Sequence, residues 1–470
     1  MPVSKIDMEK IKNLQSMDFS VPEVKNDILN LLETLCGIIT TQYQEIQELK
    51  DEINRLKGEK GKPKFTNKSK KEDNKKPTKL PNCEPKKPWV KSSKKEKIKI
   101  NREEIIKVDP TELPTDAVFK GYEEKIVQNI LIKTDNVLYK LEKYYSPSEN
   151  KTYTAKTEKN VRDTEFGPET KALISSLYYE NRVTENKITS FLNTNGLHIS
   201  EGTISNILIN DQSKELTEIK QKIFETGLAS GTYQQLDDTG MKIGKKNGYV
   251  TIVCNEKYSA FFINPKKNRD TVKGFLTESL SGLFEVLVGD DAPQFKKIAK
   301  KYALCWIHEE RPYKKLNPIF LHHREELDRV RGEIWDYYKN LKEYKESPTT
   351  EKKLELQDRF DVLFGQKTSY EALNVRLELT QKKKPELLTV LDYPEVPLHN
   401  NLSENGIREM VIKRKISGGV EGEKGLKAWE NNMSILATCK KLGISFYEFM
   451  KSVFAKNTTY NLPDLIYKNI

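Results

Sequence analysis

No stretch of this 470-residue chain approaches the roughly 20 apolar residues needed to cross a bilayer, which excludes a helical membrane protein. The opening residues, MPVSKIDMEKIKNLQ, hold no apolar run of the secretory kind, so a cytoplasmic place of work is expected. Cysteine is scarce. The five present, Cys36, Cys83, Cys254, Cys305 and Cys439, are odd in number, scattered and never in a CxxC pair, which argues against both a disulfide framework and a zinc ribbon. A general basic surface is also missing. Between Lys57 and Lys99 stand 17 Lys against five acidic residues, so this segment holds the whole of the net charge of +11 and the remainder is close to neutral. Any polyanion bound elsewhere must meet local patches or a shaped motif. With 36% hydrophobic and 32% charged residues, the chain has the composition of a globular protein, and its length predicts two to four folded units.

Apolar residues at Ile28, Leu32, Leu35, Ile39, Ile46, Leu49, Ile53 and Leu56 alternate spacings of four and three, with Gln42 filling the one polar register position. That is a heptad seam, and it predicts a short self-associating coiled coil in residues 1–57; packing on the protein's own body is the alternative. Residues 58–104 are Lys/Pro-rich and are expected to form a linker, either tracking phosphates or acting as a solvated tether. Residues 105–160, with KIVQNILIKT and VLYKLEKYYS, are expected to form a small β-rich module. Residues 165–212 show three short helical patterns. The last, HISEGTISNIL, is capped by Ser200 with Glu201 or Thr203 and would present Thr203, Ser205 and Asn206 to a major groove, as in a helix-turn-helix; a helical triplet without that role is the alternative.

From residue 230 the pattern changes. TYQQLDDTG, GYVTIVCN and YSAFFINP read as three strands, NRDTVKGFLTESL as a helix, FEVLVGDDAPQF as a buried strand, PQFKKIAKKY as a helix and ALCWIHEE as a fifth strand. This order of elements is that of a ribonuclease H-like mixed-sheet core, so the fold class expected is multidomain α/β. The core would occupy residues 230–311 and 397–456, interrupted by an all-α insertion at 312–396 and followed by a tail at 457–470. In the insertion, Leu327, Val330, Ile334, Tyr337, Leu341 and Tyr344 share one helical face. In LDD and LVGDD, apolar strand residues stop at Asp237 and Asp290. Strands one and four of such a sheet are neighbours, so these acids would meet where α/β folds build sites. Each doublet alone could equally be a turn or a cap. Paired carboxylates repel unless a cation lies between them, and Mg2+ or Mn2+, as two ions, suits oxygen ligands. In PLHNNLSENGIREMVIKRKISGG, Ser403 is the expected cap of a helix that projects Glu404 beside Ile407 and Arg408. Lys413, Arg414 and Lys415 follow within reach of phosphates.

The segments QLDDTG, LVGDD, CWIHEER, PEVPLHNNLSENGIR, KRKISGG and MSILATCKKLGISFYEF resemble the insertion-sequence-66 family of DDE transposases. The resemblance implies that Asp237, Asp290 and Glu404 are the catalytic, metal-binding carboxylates. Asp238, Asp291, Asn400, Asn401 and Arg408 would support them without binding the metal. It also implies metal-dependent cleavage at the ends of a mobile element and strand transfer into target DNA. Partners would be double-stranded DNA and further copies of the chain, joined through the coiled coil on DNA, with no membrane; the setting would be the prokaryotic cytoplasm and nucleoid. Two departures stand out. His399 precedes Asn400-Asn401 where many members have Asp, and only Cys83 remains of an amino-terminal cysteine pair. No zinc is therefore expected, and Cys305 and His308, a Cys-x-x-His match, are expected to be packed or hydrogen-bonded, since two ligands do not make a site. A domesticated or inactive relative that binds DNA without chemistry is the alternative, and a ribonuclease or junction resolvase of the same fold a further one.

Overall fold

The computed structural model describes residues 22–56, 98–109, 114, 117–156, 165–277, 284–457 and 460–468. The Lys/Pro-rich segment up to residue 97, with Cys83, lies outside them. Two units are distinguished: Gln47–Lys133, and Met1–Ile46 with Thr134–Ile470. In the former, described residues 98–109 and 117–133 form neither helix nor strand, and Ile106, Val127, Ile130 and Leu131 are exposed. The expected β-rich module shrinks to one hairpin in the latter unit, β1 (Lys143–Ser146) with β2 (Lys151–Thr154). Among the described residues no strand pairs with the alternating residues of KIVQNILIKT, so they gain neither ladder hydrogen bonds nor a buried face. Among the described residues no helix is long and apolar enough to cross a membrane.

One long helix, α1 (Pro22–Leu56), carries the heptad seam. Three short helices follow the hairpin: α2 (Pro168–Ser175, extended by a π turn to Glu180), α3 (Glu185–Thr194) and α4 (Glu201–Ile209). The expected cap is present, for Ser200 Oγ accepts from Thr203 N at 3.1 Å. Helix α5 (Ser213–Ala229) then leads into the sheet.

Strands β3 (Tyr233–Ile243), β4 (Lys246–Cys254), β5 (Ser259–Asn264), β6 (Val286–Gly289) and β7 (Lys301–Leu304) lie in the order β5-β4-β3-β6-β7. The first three pair antiparallel; β6 pairs parallel with both β3 and β7. The expected adjacency of the first and fourth strands is therefore observed. Helix α6 (Arg269–Thr277) links β5 to β6. Two expectations fail here. PQFKKIAKKY holds only a 3-10 turn at Pro293–Phe295, and Lys297 at φ 61° breaks any longer helix. The fifth strand ends at Leu304, and residues 306–310, expected to extend it, open helix α7 (Trp306–Lys314) with Cys305 at its N-cap.

The insertion folds as α8 (Leu321–Glu346), α9 (Thr350–Gly365), α10 (Glu371–Gln381) and α11 (Lys384–Leu387), and the six residues expected on one face of α8 are all buried. The polar side of α1 docks on it. Asn26 and Asn30 amides donate to Ser369 O at 2.8 and 2.9 Å, and Glu33 Oε1 accepts from Ile319 N and Phe320 N at 2.6 and 2.9 Å.

Helices α12 (Asn401–Ser417), α13 (Glu423–Lys441), α14 (Phe446–Phe454) and α15 (Leu462–Lys468) close the fold. Because β5 is an edge strand, its outward N–H groups need acceptors. Glu430, Ser434 and Thr438, one helical turn apart on α13, accept from Ile263 N, Phe261 N and Ser259 N at 2.6, 2.9 and 3.2 Å. A turn of helix rises about 5.4 Å and two strand residues about 6.6 Å, so the rows run nearly in step. Ser434→Ala leaves the Phe261 N–H buried and unpaired, and a loss of about 1–3 kcal/mol is expected in denaturant melts. Wild-type stability in that variant would refute the role.

Candidate active site

Asp237 and Asp290 each follow a buried stretch of strand, wholly apolar up to Gly289 in β6 and including the amides Gln234 and Gln235 in β3. Tyr233–Leu236 of β3 are buried and burial eases at Asp237; β6 is buried throughout and ends one residue before Asp290. Gln235 pairs with Val288 in the parallel ladder, so each acid follows two residues later at the same end of the sheet. The expected stop at an aspartate holds for β6, whereas β3 runs on through Asp237, which pairs with Ile252, to Ile243. Parallel pairing with β6 ends at Gln235 and continuous burial at Leu236. Gly289 leaves room beside Asp290, since a Cβ there would stand 2.8 Å from the Tyr302 hydroxyl, which donates to Asp290 O.

Helix α12 is tied to β3 by buried side chains. Gln235 Oε1 accepts from Leu402 N and Ser403 N at 3.1 and 3.3 Å, serving two of the orphan amides of the first turn, and Asn400 Nδ2 donates to Leu236 O at 2.9 Å. Ser403, expected as the cap, lies inside the helix and donates to Asn400 O at 3.0 Å. Gly406 allows close approach to the sheet: a Cβ would fall 2.3 Å from Ile252 Cδ1, on the residue paired with Asp237. Sequence reasoning missed Gln235; the available signal was an amide side chain two residues before Asp237, in the part of β3 that is buried together with Gln234.

Glu404 meets α7. Its Oε1 lies 3.5 Å from His308 Nδ1 and its Oε2 3.6 Å from an Arg311 Nη. Arg311 also donates to His308 Nε2 at 2.7 Å, which makes that nitrogen an acceptor and places the neutral ring's proton on Nδ1. Cys305 Sγ accepts from Asn400 N at 3.4 Å.

The two aspartate doublets divide alike. Asp238 pairs with Lys267 and accepts from Gln294 Nε2 at 2.6 Å, and Asp291 pairs with Lys296 and Lys383 at 2.6 and 2.7 Å. Asp237 and Asp290 form no ion pair among the described residues; each accepts a backbone N–H, from Asp238 at 2.8 Å and Ala292 at 3.2 Å. Burial pushes the Asp237 carboxyl up to about 7, against the Asp238 N–H, with the charges of Asp290, Asp238 and Glu404 adding to the rise. Burial also raises Asp290, opposed by His308 and the Ala292 N–H. Burial works against charged Asp291 too, but hydrogen bonds from Lys296 and Lys383 outweigh it and hold its carboxyl below the usual range. His308 is lowered by burial and by Arg311.

Other expected residues distribute unevenly. Asn400 is buried beside β3, Asn401 is exposed at the start of α12, and Arg408 is exposed and donates to Asn405 Oδ1 at 3.2 Å instead of reaching Glu404. Lys413 is not a phosphate contact. It is 1% exposed, its ammonium donates to Tyr178 O at 2.7 Å and lies 3.1 Å from the centre of the Tyr178 ring, and burial lowers it to about 7. It follows Ile407 and Met410 at spacings of three on the buried face of α12. Lys415 is exposed and Arg414 half-buried. On α4, Thr203 Oγ1 shares a hydrogen bond with Ser200 Oγ at 2.8 Å, Ser205 is hydrogen-bonded to Glu185, and Asn206 is exposed.

Over residues 163–428 the chain matches the model of the family described as "Transposase IS66 family", a span that contains Asp237, Asp290 and Glu404. It is 39% identical over 165 residues to "Uncharacterized protein y4jO" of Sinorhizobium fredii (strain NBRC 101917 / NGR234), covering 35% of this chain and 51% of that protein. The match thus spans about half the length of that relative. No solved structure matches. With more than half its length matched by the family model, the chain belongs to the transposase IS66 family.

Proposed function

We propose that the protein is a DDE-type DNA transposase, which cleaves strands at the ends of its element and joins the freed 3′ ends to target DNA on a ribonuclease H-like core. One observation carries this reading. At neighbouring strand positions each aspartate doublet keeps one lysine-paired carboxylate and one that forms no ion pair among the described residues, with the Glu404 charge felt at Asp237. Asp237, Asp290 and Glu404 would together offer an all-oxygen donor set of the kind Mg2+ or Mn2+ takes, but only on drawing closer, since among the described residues Cys305, His308 and Glu404 alone bring three ligand atoms within 4.8 Å of one another. Asn400 Oδ1, on the N-cap residue of α12, is buried with no hydrogen-bond partner among the described residues. When bound, two such ions supply Lewis acidity that activates water or a 3′-hydroxyl and takes up charge on the leaving oxygen.

The chain's own residues divide the rest of the work. Asp237 and Asp290 offer ligand oxygens from the sheet, and Glu404 from the first turn of α12. Lys267 and Gln294 hold Asp238 away from that duty, as Lys296 and Lys383 hold Asp291. Helices α2–α4 act as the end-recognising helix-turn-helix with Asn206 outward, and Arg414 and Lys415 approach phosphates; the setting is the cytoplasm. Purified protein given duplex DNA from the borders of its gene should nick it with Mg2+ or Mn2+ and not after chelation. Binding without nicking would leave a DNA-binding relative, and preference for RNA–DNA hybrids would leave a ribonuclease; either result refutes the proposal.

Four residues of the α1 seam face outward, Leu32, Ile39, Ile46 and Leu49 being 48%, 63%, 49% and 62% exposed, while Ile28 and Leu35 are half-buried. A second copy is its proposed partner, since alternating three and four spacing fits another helix of the same kind. Leu32→Glu with Ile39→Glu should reduce the molar mass in light scattering to that of a single chain. An unchanged oligomer would exclude the seam as the interface.

A further inference from the structure

Cys305 and His308 lie one turn apart at the start of α7, and the fold brings Glu404 of α12 to them across a sequence gap of nearly a hundred residues. One ligand atom from each lies within 4.8 Å of the others. Among the described residues His308 Nδ1 is buried without a hydrogen-bond partner, and it faces Glu404 Oε1 at 3.5 Å. The Cys305 sulfur accepts from the Asn400 amide at 3.4 Å, the sort of outer contact that orients a metal-bound thiolate. A buried sulfur, an imidazole nitrogen and a carboxylate oxygen form a softer set than the three acids, and one that suits zinc-class ions over magnesium.

We propose that Cys305, His308 and Glu404 form a second metal site, for Zn2+ or an ion of its class, with a fourth position open to water. The thiol loses its proton on ligation. Ligation through His308 Nδ1 moves the ring proton to Nε2, so the half-exposed Arg311 must swing off that nitrogen and off Glu404. Arg311 is thus the competitor for the site. Because Glu404 belongs to both ligand sets, a zinc-class ion here draws it toward α7 and away from Asp237 and Asp290. The proposal itself stands on the three ligands and does not depend on the reaction above.

The test is Co2+ titration of the full-length, metal-free protein. One equivalent should bring a thiolate-to-cobalt charge-transfer band with the intense visible bands of a tetrahedral ion, and Zn2+ should erase both. Cys305→Ser, which puts a hydroxyl in place of the thiol at the N-cap, should lose the charge-transfer band with its circular dichroism unchanged. His308→Ala and Glu404→Gln should each weaken binding tenfold or more, and Arg311→Ala should tighten it. Asp237→Asn should keep the band, separating this site from the acids of the sheet. No charge-transfer band, a band that survives Cys305→Ser, or unchanged affinity in His308→Ala would each overturn the site.

Discussion

Replacing Asp237 by asparagine is expected to abolish strand cleavage and, in the same protein, to raise the stability of the metal-free fold above pH 7. Burial and the charges of Asp290, Asp238 and Glu404 push this carboxyl from 3.8 to about 7. Below pH 4 both folded and unfolded chains hold the proton and nothing differs. Between pH 4 and 7 the unfolded chain releases it while the folded chain retains it, so stability falls as pH rises; above 7 the full cost stands. That displacement corresponds to ~4 kcal/mol at most, and partial solvent access brings the expected gain for asparagine to about 2 kcal/mol. Cleavage should fall roughly a thousandfold or more, since several kcal/mol of charge stabilisation are lost with the ligand. Mg2+ should raise the melting temperature of the wild type far more than that of the variant. Melts at pH 8 with and without Mg2+, beside a nicking assay, check both arms. A variant that still cleaves at a tenth of the wild-type rate, or melts lower without metal, would remove Asp237 from its assigned place.

Gly406→Val should impair the same centre without touching a carboxylate. A Cβ at 406 would meet Ile252 Cδ1 at 2.3 Å, and Ile252, the residue paired with Asp237, is fully buried. The Ile252 methyl can turn for one small intruder, so Gly406→Ala should be mild. A branched side chain must lift α12 off β4, and Glu404 with it. The expected result is a loss of about 1–3 kcal/mol in stability and a drop in cleavage of at least about tenfold, the order of a misplaced catalytic group. Ile252→Ala added to Gly406→Val should restore part of both, because the cavity accepts the valine. Additive losses in that double-mutant cycle would show that the two residues do not oppose each other.

Much of this was legible in the sequence because runs of apolar strand residues that stop at an acid mark the end of a buried strand, although β3 also buries Gln234 and Gln235. An aspartate that breaks such a run is conspicuous, and LDD and LVGDD were read on that ground. The buried face of α8 and the Ser200 cap were legible because both are local. Which member of each doublet stays free of lysine was not, because Lys267, Lys296 and Lys383 arrive from other segments. The same holds for the meeting of Cys305, His308 and Glu404. Lys413 was misread for a different reason: its charge outweighed its phase, although Ile407, Met410 and Lys413 recur at the spacing of one helical face. The helix expected at PQFKKIAKKY had good propensity, but the parallel β6 and β7 are joined by only 11 residues, and a left-handed Lys297 turns the chain back within them.

The residues of α13 that cover β5 lie 167 to 179 positions further along the chain. During synthesis, β3, β4 and β5 therefore leave the ribosome long before Glu430, Ser434 and Thr438 exist. For that interval the nascent sheet presents a bare template of amides, open to pairing with a neighbouring nascent chain. Any product terminated before Glu430 keeps that template for good, so aggregation of truncated chains follows directly from where the last acceptors were placed in the gene.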